Sequence, residues 1–407
     1  MPTASFRTPT AHAQLLRWRA DTPASLRRIH LNNAGAALMP TVVRDTIVRH
    51  LDLEAEIGGY EAADAAAPEL ANTYAALAQL VGVEPAHIAV VDSATAAFSQ
   101  ALSAIDFEPG DRIVTTRADY VSNQLMYLSL ARRRGVEVVR ADDLSEGGVD
   151  PASVEALVRQ RRPRLVAVTW IPTYSGLVQD AEAVGAICER EGVPYLVDAC
   201  QAVGQLPIDV ARLRCDYLSA TARKFLRGPR GIGFLVATDR ALARGAYPLY
   251  IDMRGARWTG LEEFELAPGA RRFEMWEFPL ALVLGMGAAA RYALEVGIPT
   301  AQARAWALAA YARERLAAVP GVCVADRGAT LSAIVTLQLA ERAAEDVKVA
   351  LRRHGINTSV SARDNAVIEG AVPSATPVLR ISPHYYNTTE EIDRAVAALA
   401  EELSASA

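Results

Sequence analysis

Short apolar runs alternate with longer amphipathic segments between residues 87 and 237, and this alternation restricts the fold more than any other feature of the sequence. Each apolar run has the length of a buried strand, and each amphipathic segment has the length of a helix. Strands and helices that alternate in this way form a parallel sheet with right-handed crossovers. We therefore predict an α/β chain whose larger part is a doubly wound, mainly parallel sheet.

Two charged residues stand just past the ends of two such runs. Asp198 ends one apolar run, and Lys224 follows the next, beside Arg223 and short of a Gly-rich turn. Open parallel sheets bind ligands at the carboxyl edge of their strands. A lysine in that position is suited to lose its proton and attack a carbonyl, because neighbouring cations and desolvation lower its pKa. Taken singly, each residue is better explained as a solvated charge at an ordinary strand end.

Length and composition set the limits of the prediction. The 407 residues, 51% of them hydrophobic, suffice for a large core and two domains. The net charge of −5, without a basic tract, argues against a nucleic-acid surface. The first residues lack the apolar core of a secretory signal, and no apolar run approaches membrane-spanning length. The four cysteines and six histidines have no ligand spacing, so we expect no metal site, no disulfide framework and a cytoplasmic location.

A strand, a cap and a helix follow one another between residues 87 and 98. Ser93 is suited to cap a helix, and the small residues Ala94 and Thr95 come directly after it. A helix N-terminus with bare amide groups and small side chains is suited to bind a phosphate. Any capped helix has this pattern, so the motif alone is weak.

The sequence around Asp198 and Lys224 resembles the class V aminotransferase family of pyridoxal 5′-phosphate (PLP) enzymes. The resemblance rests on Asp-Ala-Cys-Gln from Asp198, Ser-Ala-Thr-Ala-Arg-Lys-Phe through Lys224 and the Gly-Pro-Arg-Gly turn after it. The family includes cysteine desulfurases, isopenicillin N epimerase-like enzymes and ergothioneine-pathway C–S lyases. The resemblance implies fold type I, a Schiff base between Lys224 and PLP, and pairing of Asp198 with the pyridinium nitrogen, which makes the ring an electron sink.

The resemblance also implies a domain plan and an assembly. We place an N-terminal arm at residues 1–28, a large PLP-binding domain at 29–285 and a small α+β domain at 286–407. A homodimer is expected, with the active site at the subunit interface. Arg-Phe-Glu at residues 272–274 resembles a family string, but Met275-Trp276-Glu277 replaces the small residues that usually follow. This departure puts the partner-chain phosphate contact in doubt and suggests an altered pocket.

Further cofactor contacts are implied by position within the family motifs. Tyr120 matches a stacking position where desulfurases have histidine, so stacking is kept but the acid–base possibilities change; the alternative is a tyrosine packed under the helix. Arg223 would grip the phosphate with its planar fork, and the alternative is a surface charge. The cofactor-binding set implied by the resemblance is Ala94, Thr95, Tyr120, Thr173, Asp198, Gln201, Thr221, Arg223 and Lys224.

Substrate contacts are implied at the two ends of the chain. The string from Leu379 to Thr388 matches the family's Arg-x-Ser-x-x-x-Tyr-Asn-Thr in register, which implies that Arg380 binds the α-carboxylate as a bidentate pair. Asn32 or Asn33 is expected to touch the substrate; equally supported is an asparagine that satisfies turn backbone. Arg363 is a candidate for a distal acid of the substrate, and a solvated loop arginine explains it at least as well.

The absence of a nucleophilic cysteine narrows the choice among possible reactions. Desulfurases keep a nucleophilic cysteine about 15 residues before the position of Arg380, and here no cysteine follows Cys323. We therefore predict removal of the Cα proton by Lys224 and β-elimination from a cysteine conjugate or its S-oxide. Transamination and epimerisation start from the same carbanion and remain alternatives. A non-catalytic protein that kept the fold is a second alternative, which the intact Asp198, Lys224 and Arg380 argue against.

Overall fold

The computed structural model describes residues 9–362, 364, 367–368 and 377–404 of the chain. Within these residues the strands are β1 (Ile29–His30), β2 (Ile88–Val91), β3 (Arg112–Thr115), β4 (Glu137–Arg140), β5 (Leu165–Thr169), β6 (Tyr195–Asp198), β7 (Tyr217–Thr221), β8 (Gly233–Ala237), β9 (Ala256–Gly260), β10 (Glu263–Leu266), β11 (Val322–Val324), β12 (Val335–Leu339), β13 (Ile356–Asn357), β14 (Ser359–Ser361) and β15 (Val378–Ile381).

The α-helices over the same ranges are α1 (Pro9–Ala20), α2 (Asn33–Ala36), α3 (Thr41–Ile57), α4 (Gly59–Ala65), α5 (Ala67–Val81), α6 (Ala94–Ser103), α7 (Val121–Arg134), α8 (Pro151–Gln160), α9 (Ala181–Arg190), α10 (Val210–Leu213), α11 (Asp239–Ala243), α12 (Leu280–Val296), α13 (Ile298–Ala317), α14 (Ala344–Arg353) and α15 (Thr389–Ser404). Short 3₁₀ helices cover Pro23–Leu26, Pro85–His87 and Gly269–Phe273.

A seven-stranded sheet forms the larger part of the chain. Its order is β2-β8-β7-β6-β5-β3-β4, and every pairing is parallel except the two made by β8. Strands β5, β6 and β7 are buried along their whole length, because helices cover both faces of the sheet. The prediction of a mainly parallel, doubly wound sheet is confirmed.

The carboxyl ends of neighbouring parallel strands meet at one edge of this sheet. Thr115 ends β3, Thr169 ends β5, Asp198 ends β6 and Thr221 ends β7. Thr169 and Asp198 are direct partners in the β5–β6 register. Polar residues that are far apart in the sequence therefore lie side by side, and the loops that leave this edge form the candidate site.

A smaller part of the chain consists of a four-stranded antiparallel sheet and helices α13 to α15. The strand order is β11-β12-β15-β14. Strand β1 pairs in parallel with β13 of this part, and Trp18 of α1 packs against Tyr385 with ring centres 5.0 Å apart. The arm and the first strand thus contact the small α+β part. The domain limits at residues 29 and 286 stay a prediction.

Helices α12 and α13 follow each other directly and are the segments of the described residues to consider as a membrane span. Neither helix alone is long and apolar enough to cross a membrane; they meet that test only as a pair bent by 81°. In the structure α12 packs against α3 and α5, and most of its residues are buried.

Candidate active site

A cavity of about 210 Å³ lies at the carboxyl edge of the seven-stranded sheet. It is lined by nine residues that the sequence predicts as cofactor ligands, namely Ala94, Thr95, Tyr120, Thr173, Asp198, Gln201, Thr221, Arg223 and Lys224. Additional lining residues are Asp92, Ser93, Thr169, Ile171, Cys200, Arg230 and Gly231. The structure therefore brings residues from five loops of the sheet edge to one place.

Lys224 follows β7 in a tight turn that closes with a hydrogen bond from the Arg227 amide to the Lys224 carbonyl (2.9 Å). The lysine is buried, and its Nζ lies 5.8 Å from the centre of the Tyr120 ring. Burial lowers the pKa of the Lys224 amine; Cys200 and Asp198 act in the opposite direction, and the charges of Arg223 and Arg380 act with burial, so that the pKa lies below its ordinary value. These surroundings favour the neutral, nucleophilic amine.

Asp198 stands at the end of β6, buried below the same cavity. Its Oδ1 accepts a hydrogen bond from the Cys200 amide at 2.9 Å, and its Oδ2 accepts one from Asn123 Nδ2 at 3.0 Å. Each oxygen thus has a donor from the chain, which fixes the carboxylate in place and leaves lone pairs for a further donor.

Three polar residues beside Asp198 were missed by the sequence analysis. Asp119, Asn123 and Thr169 are buried and hydrogen-bond to one another, and Asn123 joins them to Asp198. The available signal was the position of Asp119 two residues before α7 and of Asn123 in its first turn, which brings the two residues near each other. Their meeting with Thr169 depends on the strand order, which the sequence does not contain.

The first turn of α6 forms another part of the cavity wall. Ser93 caps this helix, and its Oγ accepts a hydrogen bond from the Ala96 amide at 3.1 Å. The amides of Ala94 and Thr95 belong to the first turn and have no hydrogen-bond acceptor within the helix, so they are available to bind an anion. Gly233 of β8 packs against this turn so closely that a Cβ there would lie 3.0 Å from the Ala94 nitrogen. Glycine is therefore required for β8 to approach the helix.

The guanidinium of Arg223 lies on the wall of the cavity. Its Nη1 donates to the Gly35 carbonyl oxygen. Burial lowers the pKa of Arg223, and the charge of Arg230 lowers it further. Over the described ranges, no ion pair with a carboxylate is formed by Arg223, Lys224, Arg230 or Arg380. This side of the cavity is suited to anionic ligands.

Arg380, on β15 of the small sheet, contacts Thr173 of the cavity wall but is not itself among the lining residues. Its Nε donates to Ser359 Oγ at 3.0 Å, and its Nη1 donates to the carbonyl and the hydroxyl oxygen of Thr173. Burial and the charge of Arg223 lower the pKa of Arg380 to about 10, so it stays cationic at neutral pH. Arg380 therefore links the small sheet to the loop after β5.

Thr173 also accepts a hydrogen bond from Gln201 Nε2 at 3.2 Å. Its hydroxyl oxygen thus has two donors, so its own proton is free to bond a ligand oxygen. Gln201 Nε2 also donates to the Ala34 carbonyl at 3.1 Å, whereas Gln201 Oε1 is buried with no partner in the described chain. A bound group with a donor would satisfy that oxygen.

The structure does not bring Asn33 to the cavity. The side chain is fully buried; its Nδ2 donates to the Ser382 carbonyl at 2.7 Å, and its Oδ1 accepts from Tyr386 Oη at 2.6 Å. Its Nδ2 also donates to the His30 carbonyl at 3.3 Å, which is the contact with turn backbone that the alternative predicts, whereas the bonds to Ser382 and Tyr386 are tertiary contacts. Asn32, also considered from the sequence, is half-buried, and its Oδ1 has no partner among the described residues.

Arg363 and the segment from Arg272 to Glu277 were also singled out from the sequence. Arg363 lies outside the described residues. Glu274 is buried and accepts from Tyr74 Oη at 2.7 Å and from the Val90 amide at 2.9 Å, so it serves the packing of the large part. Trp276 and its neighbours line a separate cavity of about 960 Å³.

Cys200 is the one cysteine among the lining residues. Burial and the adjacent charge of Asp198 raise the pKa of its thiol well above the ordinary value. The thiolate is the nucleophilic form, so this environment disfavours nucleophilic chemistry at Cys200.

Comparison with known proteins places the chain in a family. The family model described as Aminotransferase class-V matches residues 29–395. A probable hercynylcysteine sulfoxide lyase of Mycobacterium tuberculosis (strain CDC 1551 / Oshkosh) is 28% identical over 403 residues, covering 98% of this chain and 96% of that protein. A probable cysteine desulfurase of Methanothermobacter thermautotrophicus is 27% identical over 388 residues, covering 92% and 94%.

The fold is shared with solved structures at lower identity. The cystine C–S lyase C-DES, solved in complex with its product cysteine persulfide, has a TM-score of 0.83 at 23% identity, with 93% of this chain and 99% of that chain covered. The fold type I prediction is confirmed. Together with the family match, these findings show that the chain belongs to the class V aminotransferase family of PLP-dependent enzymes.

Proposed function

We propose that this protein is a C–S lyase, which releases the sulfur group of a cysteine conjugate or its S-oxide by β-elimination. One observation carries the proposal: Lys224 and Asp198 line a cavity whose cysteine is held as a neutral thiol. The sequence also lacks any cysteine after Cys323, so it lacks the usual donor for persulfide formation. The similarity to a probable hercynylcysteine sulfoxide lyase supports the same chemistry.

The cavity residues fit PLP. The free amides of Ala94 and Thr95, with Thr221 and Arg223, would hold the phosphate, and Asp198 would hold the ring nitrogen. Tyr120 would stack on the ring, Thr173 would donate to its phenolic oxygen, and the unpartnered Oε1 of Gln201 would accept from the same group. When bound, PLP withdraws electrons from the substrate Cα and so stabilises the charge left by proton removal.

Lys224 moves the proton in this scheme. Burial and the nearby arginines favour its neutral amine, which takes the proton from Cα. The resulting ammonium at Nζ then gives a proton to the departing sulfur, while the C–S bond breaks and the electron pair leaves with sulfur. Water completes the release of pyruvate and ammonia. One buried amine thus serves as base and then as acid.

Arg380 orients the substrate. Its Nη1 and Nε are already held by Thr173 and Ser359, which fixes the plane of the guanidinium. Its remaining N–H groups would bind the α-carboxylate, and the burial of Arg380 would strengthen this pair. Fixing the carboxylate sets the Cα–H bond towards Lys224.

Product analysis tests the reaction type. We expect the PLP-loaded protein to release pyruvate, ammonia and a thiol from S-substituted cysteines, or the corresponding sulfenic acid from their S-oxides, without an added keto acid. Turnover only with an added 2-oxo acid would favour transamination, and loss of optical activity without pyruvate would favour epimerisation. Either result would contradict the lyase proposal. The Lys224→Ala variant is the control for non-enzymatic elimination.

The exposed apolar surface supports a homodimer. Tyr60, Tyr250, Trp258 and Leu261 are between 76% and 90% exposed, and Tyr60 lines the 960 Å³ cavity together with Trp276. Surfaces of this kind usually pack against another protein, and a second copy is the partner implied by family resemblance. Sedimentation of the unaltered protein tests this: a dimer is expected, and Tyr60→Glu with Trp276→Glu should weaken it. A stable monomer would contradict the proposal.

A cytoplasmic location remains a prediction. The four cysteines are free thiols, which is compatible with a reducing compartment.

A further inference from the structure

Asp119 is the most heavily hydrogen-bonded carboxylate near the cavity. Its Oδ1 accepts from the Tyr120 amide at 2.6 Å, from Asn123 Nδ2 at 3.2 Å and from Thr169 Oγ1. Its Oδ2 accepts from Thr115 Oγ1 at 3.0 Å and from Gln124 Nε2 at 2.9 Å. Asp119 has no arginine or lysine partner within the described ranges, so five hydrogen bonds alone hold this buried carboxylate.

These hydrogen bonds connect three strand ends. Thr115 ends β3 and Thr169 ends β5, while Asp198, the next carboxylate, ends β6. Asn123 lies between the two carboxylates and donates to both, at 3.2 Å to Asp119 and 3.0 Å to Asp198. One amide group therefore links the two buried carboxyl groups.

The same carboxylate also fixes a second wall of the cavity. Tyr120 lines the cavity, and its backbone amide donates to Asp119. Asp119 thus holds the backbone of Tyr120, whose ring centre lies 5.8 Å from Lys224 Nζ. Burial and the nearby charge of Asp198 raise the pKa of Asp119 above its ordinary value, although the hydrogen bonds from Thr169, Gln124 and Asn123 act in the opposite direction.

We propose that Asn123 and Asp119 are positioning residues, which hold the Asp198 carboxylate and the Tyr120 ring in the geometry that PLP requires. This inference rests on the proposed function, since it assigns Asp198 to the ring nitrogen. Asn123 acts through Asp198, and Asp119 acts through Asn123 and Tyr120. Neither residue lines the cavity.

Adjacent residues provide a matched pair of variants. Asn123 and Gln124 both donate to Asp119, but only Asn123 donates to Asp198. Asn123→Leu removes the link to Asp198 with little change in volume, and Gln124→Leu removes one donor to Asp119 and leaves that link intact. A role confined to stability predicts similar effects of the two changes.

The readouts are the affinity of the apo protein for PLP and the visible circular dichroism of bound PLP, which reports how the ring is held. For Asn123→Leu we expect PLP binding to weaken by about 10- to 100-fold, as for loss of a hydrogen bond to a charged group, with an altered dichroism band. For Gln124→Leu we expect a change below about threefold and the unaltered band. If Asn123→Leu does not fold, Asn123→Ser takes its place, with a smaller effect in the same direction.

Equal PLP affinities and spectra in the Asn123 and Gln124 variants would overturn the inference, as would an Asn123 variant that binds PLP like the unaltered protein. Absence of PLP binding by the unaltered protein is a separate result. It would overturn the proposed function and the positioning role with it. The two failures are therefore distinguishable.

Discussion

The two sides of the cavity are built differently. On the acidic side, Asp198 of the cavity wall and Asp119, which lies outside the lining, receive hydrogen bonds on every carboxylate oxygen. On the cationic side, Arg223 of the cavity wall and the neighbouring Arg380 donate, within the described part of the chain, only to neutral oxygen atoms, and burial lowers the pKa of each. Buried charges without counter-ions are costly. Each carboxylate oxygen on the acidic side thus has a donor from the protein, whereas the arginines of the cationic side have no carboxylate partner among the described residues.

The largest expected effect comes from the acidic side. Asp198→Asn keeps the shape of the side chain but removes the charge that would face the ring nitrogen. We expect thiol release to slow by about 10²- to 10³-fold, the usual cost of losing one preorganised electrostatic contact. Asp92→Asn is the matched control, since Asp92 lines the same cavity but is exposed. Equal rates in the two variants would contradict this role of Asp198, because its charge would then make no specific contribution to turnover.

Removal of the Arg380 cation should weaken substrate binding. Arg380→Gln removes the proposed carboxylate contact, so KM for a cysteine conjugate should rise by about 10- to 100-fold, the value for a charge-assisted hydrogen bond. The conjugate of cysteamine, which lacks the carboxylate, is the control substrate. The unaltered enzyme should discriminate strongly against it, and the variant should not. Unchanged discrimination in Arg380→Gln would show that another residue binds the carboxylate.

The cationic side also sets the pH dependence of cofactor uptake. Only the neutral Lys224 amine attacks an aldehyde, and Arg223 lowers the pKa of that amine. Arg223→Gln should therefore raise the pKa of Lys224 and move the midpoint of the PLP association rate to higher pH. Stopped-flow absorbance of the apo protein across pH measures this. Arg214→Gln is the control, because Arg214 pairs with Glu189 at 3.0 Å on the surface. A midpoint that stays in place or moves to lower pH would contradict the argument.

The smallest effect is expected at Cys200, which lies beside Asp198. Its thiol is held neutral by burial and by the aspartate charge. Cys200→Ala should leave thiol release within about twofold of the unaltered rate, as for a small packed residue rather than a nucleophile. Assay with several cysteine conjugates checks this. A loss of two orders of magnitude would indicate persulfide chemistry at Cys200.

Local patterns in the sequence predicted the parallel sheet and the residues at its strand ends. The β–α alternation and the strings around Asp198 and Lys224 needed only neighbouring residues. The contact between Arg380 and Thr173 joins positions 207 residues apart and depends on how the small sheet docks. The network of Asp119, Asn123 and Thr169 likewise requires β3 and β5 to be adjacent.

Asn33 shows the limit of position within a motif. The sequence placed it in a turn near the substrate, and both interpretations of that turn were open. Which interpretation holds depends on Ser382 and Tyr386, which come from the far end of the chain and hydrogen-bond to the Asn33 side-chain amide. Burial of one asparagine by residues about 350 positions away is a tertiary effect that no local pattern reports.

The central claim is that Lys224 is the residue that binds PLP, opposite Asp198 in one cavity. The sequence contains two lysines, Lys224 and Lys348, and Lys348 is ion-paired with Glu345 on α14. Borohydride reduction of the PLP-loaded protein, followed by digestion and mass spectrometry, locates the attached group. We predict that the group is on Lys224, and that Lys224→Ala loses the yellow colour while Lys348→Ala keeps it. Attachment at Lys348, or full colour in Lys224→Ala, would contradict the account.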